Sequence, residues 1–336
     1  MTRTSTAIAP SNIALIKYWG VRNEALLVPY NPSISMTLSR SRTRTTVEYD
    51  PTGTGVEVWI AGDSHAGDEA PRLAPEGFAS RVTAHVKKIQ ERLGVDRGGF
   101  HVWTENTFPA SAGLASSASG FAALAIATCG ALDAPVVGGK APGMVLLGGS
   151  GSAARSVAGG YVQWPSRNLR DKIEVVAPRD HWVLSDVIAI VDAEPKQVSS
   201  LAGHRLAPSS PHFSRRLELL PARTEIVRRA IRLKDFERLS KVIEEEAIEL
   251  HLIAMSTRPR TIYWKPGTLE VIARVNELNE GGVPCCFTMD AGPNVHVLCE
   301  TEHEDQVTEA LEDLTVVQTV IRDRTGHGAR FLDESS

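Results

Sequence analysis

The sequence predicts a chain of mixed strands and helices that is organised as about two domains or lobes. Its 336 residues can bury a large core, and 42% of them are hydrophobic and 23% charged, as is typical of globular proteins. Residues 43–48 and 55–60 alternate in polarity and are rich in β-branched side chains, which indicates paired strands. Residues 217–232 and 236–253 show strong helical periodicity with mixed charge, and we expect those charges to face solvent.

Other elements follow from the same patterns, in chain order. Residues 78–93 carry apolar side chains on one helical face, and residues 99–103 form a strand that leads into a loop of small residues. The apolar run 182–191 indicates a strand buried on both faces. Residues 266–278 indicate another helix, which a pair of glycines ends, and the polar tail after residue 322 is expected to fray.

The charge balance excludes several classes of partner. The net charge of -4 gives no overall attraction for nucleic acid or an acidic membrane, so local cations would have to bind an anionic substrate. The N-terminus has no apolar signal core, and the apolar stretch 118–137 is interrupted by Gly130, Asp133 and Pro135, so it does not predict a membrane span. We therefore expect a cytoplasmic protein with no nucleic-acid or membrane partner.

Residues 10–20 place two polar side chains, Asn12 and Lys17, among aliphatic and aromatic neighbours. Two interpretations of Lys17 stay open: its ammonium extends out of an apolar patch, or it is a cation held on a stiff segment and aimed at an anion. The segment 28–35 then reads as a turn. The side chains that this turn is expected to expose are Asn31, Ser33 and Ser35.

The segment 109–120, PASAGLASSASG, consists almost entirely of small residues and precedes an apolar run. Gly113 allows a ligand to approach the main chain, and the hydroxyls of Ser116, Ser117 and Ser119 predict that a helix begins here. The free N–H groups and the dipole of that helix would favour a phosphate chain. A plain connection before a buried helix is the alternative, because the segment lacks the Gly-Lys-Ser/Thr of a Walker A loop.

A second loop of glycines and hydroxyls, 148–156, is expected to open another helix, with Arg155 in its first turn. A cation is disfavoured at a helix N-terminus. Arg155 is therefore better explained if it faces an anion, and its planar fork suits a carboxylate or phosphate. An ion pair with a surface glutamate is the alternative.

One acidic residue, Asp290, lies between two apolar strand patterns and beside a Gly-Pro turn. A carboxylate in so apolar a setting is costly unless it is paired or takes part in chemistry.

The histidines show no H-E-x-x-H pattern and the cysteines no C-x-x-C spacing, so we expect reduced buried thiols and no zinc site. The four cysteines are Cys129, Cys285, Cys286 and Cys299.

Four motifs in this order resemble the mevalonate diphosphate decarboxylase family of the GHMP kinase superfamily. They are NIALIKYWG at 12–20, ASSA at 115–118, SGSAARS at 150–156 and DAGPN at 290–294. The resemblance covers nearly the whole chain, and the ordered set is far more specific than any single motif.

The resemblance implies an α+β architecture, the GHMP kinase fold. Residues 1–180 would form a ribosomal-protein-S5-like, ATP-binding N-terminal lobe, and residues 181–330 a ferredoxin-like C-terminal lobe followed by a tail, 331–336. The active site would lie in the cleft between the lobes, and the protein would be a homodimer.

The resemblance also implies ATP-dependent decarboxylation of a phosphorylated mevalonate in isoprenoid synthesis, with Mg²⁺. Asp290 matches the family's catalytic aspartate, which would orient or deprotonate the C3 hydroxyl. Lys17 would keep Asp290 ionised and offset charge on the transferred phosphoryl group. Arg155 would hold the substrate carboxylate until CO2 leaves.

The remaining implied site residues divide between the two substrates. The ATP-binding set is Ser111, Gly113, Ser116, Ser117 and Ser119, and Ser117 is also the candidate for contact with Mg²⁺. The substrate-binding set is Asn12, Tyr18, Asn31, Ser150, Gly151, Ser152 and Arg155.

Two departures from the family pattern concern the distal phosphate of a 5-diphosphate. Val21 stands where the family usually has a lysine, and Leu201 where bacterial members often have an arginine. Two charge-assisted contacts are worth about 1.5–3 kcal/mol each, so their loss favours mevalonate 5-phosphate as the substrate. The 5-diphosphate is the alternative substrate, since Arg22, His204 or Arg205 would restore contacts to its distal phosphate.

Two further alternatives change the reaction itself. A kinase of the same superfamily would stop at the 3-phosphate, and a non-catalytic sensor would only bind ATP. Arg155 and Asp290 together argue against the kinase, since a decarboxylase needs both a carboxylate clamp and a group that activates the alcohol. The intact set of Lys17, Ser117, Arg155 and Asp290 argues against the sensor.

Overall fold

The computed structural model describes most of the chain as two main sheets with helices packed against them. The described residues are 1–23, 28–60, 71–108, 116–134, 152–165, 173–194 and 198–332.

The strands are short in the C-terminal half and include two long ones near the N-terminus. In chain order they are β1 (Arg3–Ile16), β2 (Val21–Asn23), β3 (Val28–Pro29), β4 (Ser33–Asp50), β5 (Val56–Ile60), β6 (Arg72–Leu73), β7 (Gly99–Asn106), β8 (Tyr161–Trp164), β9 (Glu174–Ala177), β10 (Leu184–Ile190), β11 (Cys285–Thr288), β12 (Val295–Glu300), β13 (Thr319–Arg324) and β14 (Arg330–Leu332).

Seven α-helices lie within the described residues. They are α1 (Glu76–Arg92), α2 (Ser116–Ala131), α3 (Ser200–Leu206), α4 (Phe213–Leu233), α5 (Phe236–Ser256), α6 (Pro266–Glu280) and α7 (Glu304–Glu312).

The first sheet has eight strands in the order β14-β1-β4-β7-β5-β6, with β8 paired to β4 and β9 paired to β8. The prediction that 43–48 and 55–60 pair with each other is wrong. Both runs are strands, but β7 lies between them and pairs antiparallel with β4 and parallel with β5. A polarity pattern shows which residues are extended, but not which strand is the neighbour.

Helices α1 and α2 supply much of the hydrophobic core of this half. The predicted apolar face of α1 is confirmed, because Val82, Val86 and Ile89 are buried. Helix α2 packs closely against β1 and β4, and many of its buried residues are alanines, whose small side chains let backbones approach. This packing fixes the start of α2 beside the middle of β1.

The second sheet is antiparallel, in the order β11-β12-β10-β13, and β10 is buried along its whole length as predicted. Helices α4 and α5 lie between this sheet and the ends of the first. One core cluster joins Ile13 and Ile34 of the first sheet to Leu220, Leu239 and Leu298. The two halves therefore share a continuous hydrophobic core near the end of β1.

Two expectations about charge and order are wrong. The charges of the two long helices do not all face solvent, since Arg216, Arg228 and Glu246 are fully buried. Residues 323–332 do not fray, because β13 continues to Arg324 and β14 then pairs with β1 in the first sheet. No helix in the described ranges is long and apolar enough to cross a membrane.

Candidate functional site

Two oppositely charged side chains from distant parts of the chain meet where the two sheets approach each other. Lys17 follows directly after β1, and its Nζ donates a hydrogen bond to Oδ1 of Asp290 at 3.0 Å. Asp290 lies between β11 and β12. The lysine side chain is 1% exposed and the aspartate 36%, so the carboxylate is the member that an external ligand can reach.

The surroundings hold Asp290 as an anion. Desolvation raises its pKa, but Lys17, together with His296 and Arg155, more than offsets this, and the pKa of Asp290 lies below its usual value. Burial lowers the pKa of Lys17, and the carboxylates of Asp290 and Glu246 oppose that effect. Lys17 therefore keeps the carboxylate ionised, with free lone pairs that can orient a hydroxyl and accept its proton.

The predicted clamp residue, Arg155, lies in a short 3-10 helix, Ala153–Ser156, and is 2% exposed. Its guanidinium donates to the hydroxyl of Ser33, while its Nε is buried with no hydrogen-bond partner. Burial lowers the pKa of Arg155 to about 10, and the charge of Asp290 opposes the shift.

The alternative explanation of Arg155, an ion pair with a surface glutamate, is wrong for the described ranges, in which no carboxylate lies within ion-pair distance of it. The expected α-helix is also wrong there, since only the 3-10 turn forms. Among the described residues a hydroxyl is the only side-chain hydrogen-bond partner of this buried guanidinium, so its charge is poorly compensated, which indicates that an anionic ligand completes the site.

Asn12 lies in β1 next to the 3-10 helix that carries Arg155. Its amide nitrogen donates to Ser156 Oγ at 2.8 Å and to the carbonyl of Ser152 at 3.4 Å. Its oxygen Oδ1 is buried with no partner, so an acceptor is left for a ligand. This arrangement agrees with, but does not test, the predicted roles of Asn12 and Ser152.

Asn31 has a different place from the one predicted. The turn 28–35 does not expose its polar side chains, since Asn31, Ser33 and Ser35 are all buried. The amide of Asn31 donates to the carbonyl of Lys17 at 3.0 Å and accepts from Arg216. Both ends of the amide are therefore used within the protein, where it supports Lys17, and its substrate contact stays a prediction.

An aromatic group lies beside the ion pair. Tyr18 contacts Trp164 edge to face at 5.8 Å between ring centroids and His204 at 4.4 Å. His204 Nδ1 accepts from the N–H of Gly20 at 3.1 Å, which places the ring proton on Nε2. Burial lowers the pKa of His204 to about 4, so it is neutral at pH 7.

The predicted phosphate-binding segment is described only from the start of α2. The described part of α2 runs from Ser116, and Ser117 is exposed near that end. Ser119 is fully buried and accepts hydrogen bonds from Thr43 at 2.7 Å and Ser11 at 3.3 Å. Its hydroxyl therefore links α2 to the first sheet, and its contact with ATP stays a prediction.

Several predicted residues lie outside the described part of the chain, and nothing is concluded about their positions. They are Ser111, Gly113, Ser150, Gly151 and the side chain of Ser116. Across the ranges that are described, no three His, Cys, Asp or Glu side chains form a metal-binding cluster. All four cysteines are buried and free.

Two family models together match most of the chain. The model described as "Diphosphomevalonate decarboxylase-like N-terminal domain" matches residues 9–173. The model described as "Mevalonate 5-diphosphate decarboxylase C-terminal domain" matches residues 186–330. Lys17 and Arg155 fall within the first match and Asp290 within the second.

Curated relatives and solved structures point the same way. The diphosphomevalonate decarboxylase of Ganoderma lucidum is 33% identical over 91% of this chain and 81% of its own length, and that of Danio rerio is 35% identical over 86% and 74%. The Staphylococcus aureus mevalonate diphosphate decarboxylase superposes with a TM-score of 0.89 at 31% identity, over 99% of both chains. A chain solved as "MDDEF in complex with MVAPP, AMPPCP and Magnesium" has a TM-score of 0.88 at 32% identity, over 99% of this chain and 100% of its own.

Proposed function

This chain belongs to the diphosphomevalonate decarboxylase family, and we propose that it converts mevalonate 5-diphosphate to isopentenyl diphosphate with ATP. The family predicted from four motifs is confirmed, and so is the α+β GHMP kinase fold. The protein is an ATP-dependent carboxy-lyase, with ATP as its co-substrate and Mg²⁺ as its metal.

The observation that carries the proposed chemistry is the contact between Lys17 and Asp290 near a buried arginine that lacks an ion pair within the described ranges. A tertiary alcohol is a poor nucleophile, so phosphoryl transfer to it needs a carboxylate that orients the hydroxyl and accepts its proton. Asp290 is ionised and accessible, and Lys17 offsets negative charge that develops on the phosphoryl group.

The proposed reaction has two steps. In the first, the C3 hydroxyl gives its proton to Asp290 while its oxygen attacks the γ-phosphorus of ATP, and ADP leaves. In the second, the C3–O bond breaks and phosphate departs, while the electron pair of the C–CO2 bond forms the double bond and CO2 leaves. Arg155 holds the carboxylate in line until that bond breaks, and the Oδ1 acceptor of Asn12 is placed to accept a hydrogen bond from a hydroxyl of the substrate.

The first turn of α2 is suited to the ATP phosphates. Its free N–H groups and dipole favour an anion, and the exposed hydroxyl of Ser117 is an oxygen donor of the kind that Mg²⁺ prefers. When bound, Mg²⁺ neutralises charge on the phosphates. We propose Ser117 as the residue of this turn that reaches the phosphates or the metal.

A pair of serine substitutions separates the two roles on α2. Ser117→Ala is expected to raise KM for ATP about tenfold, because one contact to a charged group is removed. Ser119→Ala is expected to leave KM for ATP unchanged and to lower the free energy of unfolding by about 0.5–1.5 kcal/mol, since the buried hydroxyl that accepts from Thr43 and Ser11 is lost. Steady-state kinetics and urea unfolding measure both, and the reverse pattern would contradict this division.

The choice of substrate rests on the relatives, which are named for the 5-diphosphate. The 5-phosphate, our first interpretation, is a second candidate because neither Val21 nor the exposed Leu201 carries a charge. His204 is neutral and does not replace a lost cation, although its Nε2–H is a hydrogen-bond donor.

An ADP-release assay coupled to CO2 detection decides between the two substrates. We expect kcat/KM to be about tenfold or more higher for the 5-diphosphate. Val21→Lys and Leu201→Arg each restore a cation, so each should raise kcat/KM for the 5-diphosphate and leave the 5-phosphate value nearly unchanged. A higher kcat/KM for the 5-phosphate in the unaltered protein would assign the second candidate instead.

The division into lobes, the oligomeric state and the location remain proposals. We propose an N-terminal lobe of about residues 1–180 and a C-terminal lobe of 181–330. The pairing of β14 with β1 supports placing the last described strand in the first lobe rather than in a tail. A cytoplasmic homodimer stays a prediction, and sedimentation of the purified chain measures its oligomeric state.

A further inference from the structure

We propose that the buried ion pair between Arg216 and Glu246 is a positioning device for Lys17, which holds the main chain of the catalytic lysine so that its ammonium meets Asp290. The inference rests on the proposed function, because it assigns Lys17 a part in catalysis. Neither residue belongs to the four motifs, and both come from helices that the sequence pattern alone places on the outside.

The main chain of Lys17 needs support that the sheet does not give. Strand β1 ends at Ile16, so Lys17 is the first residue beyond its ladder. Its N–H donates to Glu246 Oε2 at 3.1 Å, and its carbonyl accepts from an Arg216 guanidinium nitrogen at 2.9 Å. That same nitrogen donates to Glu246 Oε2 at 2.9 Å, so the ion pair closes around one residue of the chain.

The rest of the environment makes this arrangement rigid. Arg216 on α4 and Glu246 on α5 are both fully buried. Arg223 donates to the other carboxylate oxygen of Glu246 at 3.0 Å. Asn31 links the Lys17 carbonyl to Arg216. Every described contact therefore restricts the position from which the Lys17 side chain extends.

Stability alone is a weak reason for such a pair. Two charges removed from water lose much of their attraction to desolvation, and apolar side chains of similar volume are often equally stable in their place. A device that must fix a main-chain N–H and a carbonyl together does need a donor and an acceptor. The geometry around Lys17 supplies both from one ion pair.

Glu246 also acts on the charge of Lys17. Burial lowers the pKa of Lys17, and Asp290 and Glu246 oppose this from two sides, while Arg155 adds to it. Asp186 of β10 also interacts with the lysine. Removal of the Glu246 charge is expected to lower the pKa of Lys17 further, so the lysine would lose its proton at a lower pH.

The same helix provides a matched control. Arg228 on α4 is also fully buried, and it pairs with Glu174 and bonds Gln163 instead of Lys17. Replacement of either arginine by methionine removes a buried cation from α4 and takes a donor away from its hydrogen-bond partners. Only the Arg216 variant removes a hydrogen bond from the main chain of Lys17, whose carbonyl then keeps only the one from Asn31.

The first experiment compares Arg216→Met with Arg228→Met. Since small misplacements of a catalytic group have large effects, kcat should fall on the order of 100-fold in Arg216→Met with KM for ATP nearly unchanged. Arg228→Met should lose similar thermal stability but keep kcat within about threefold. Equal effects on kcat would overturn the proposal and leave Arg216 as a structural residue.

The second experiment does not depend on how well the methionine variants fold. Glu246→Gln keeps the shape of the side chain and one acceptor oxygen. In a plot of kcat against pH, the alkaline limb of this variant should move to lower pH. Glu174→Gln should leave that limb in place, and an unmoved limb in Glu246→Gln would overturn the proposal. If the unaltered chain released no CO2 from either phosphorylated mevalonate, the proposed function itself would fail.

Discussion

Asp290→Asn is expected to lower kcat on the order of 1,000-fold while ATP still binds with its original affinity. The amide does not accept the proton of the C3 hydroxyl, and Lys17 loses the carboxylate that opposes the effect of its burial. Both changes act on the transferred phosphoryl group rather than on nucleotide contacts. Single-turnover ADP release measures the chemical step, and equilibrium titration measures ATP affinity.

The matched control for this variant is Glu174→Gln. Glu174 is 31% exposed and pairs with Arg228, which is 2% exposed, much as Asp290 at 36% pairs with Lys17 at 1%. Both substitutions therefore neutralise a partly exposed carboxylate beside a buried cation. Glu174→Gln should change thermal stability by a similar amount and keep turnover. If Asp290→Asn retained more than about a tenth of kcat, Asp290 would not be the proton acceptor.

The sequence was most informative where chemistry depends on short local segments. The motifs around Lys17, Arg155 and Asp290 predicted the family, and the residues from Ser116 onward are helical, as the serines there indicated. The contact between Lys17 and Asp290 was also expected, although 273 positions separate them. It followed from the family resemblance, since no local pattern encodes a contact of that length.

Short local segments did not predict the strand order of the first sheet or the burial of the segment 28–35. Polarity located β4 and β5 correctly, but β7, which separates them, comes from residues much later in the chain. Ser33 and Ser35 read as an exposed turn, yet they lie in β4, covered by β8 and the 3-10 helix. Long-range pairing decides burial here, and the composition of a short segment does not contain it.

Arg216 and Glu246, which the motifs did not predict, could have been recognised from their positions on the helices. On α4, Arg216 precedes Leu220 by four positions and lies on the stripe that continues through Val227 and Ile231. On α5, Glu246 falls between buried positions such as Ile243 and Leu250. A charged residue on the apolar face of a helix is costly unless it is paired, so these positions marked a buried network.

Arg155→Met is expected to abolish decarboxylation without lowering the stability of the fold. The guanidinium is 2% exposed and has the Ser33 hydroxyl as its only partner in the part of the chain that is described. Its desolvation is therefore poorly compensated until a ligand binds, and apolar replacement of a buried charge is often neutral or stabilising. The free energy of unfolding in urea should stay equal or rise, whereas kcat/KM should fall on the order of 1,000-fold, because two charge-assisted contacts to the carboxylate are lost.

Two further variants distinguish a carboxylate clamp from a general need for positive charge. Arg155→Lys keeps the charge but loses the planar fork, so it should remain about 100-fold impaired in kcat/KM. Ser33→Ala removes only the hydroxyl that orients the guanidinium and should have a smaller effect. A loss of stability in Arg155→Met as large as that in Arg228→Met would show that the arginine is structurally compensated in the absence of substrate. In that case the argument that an anionic ligand completes its site would fail, because a fully paired arginine has no need of one.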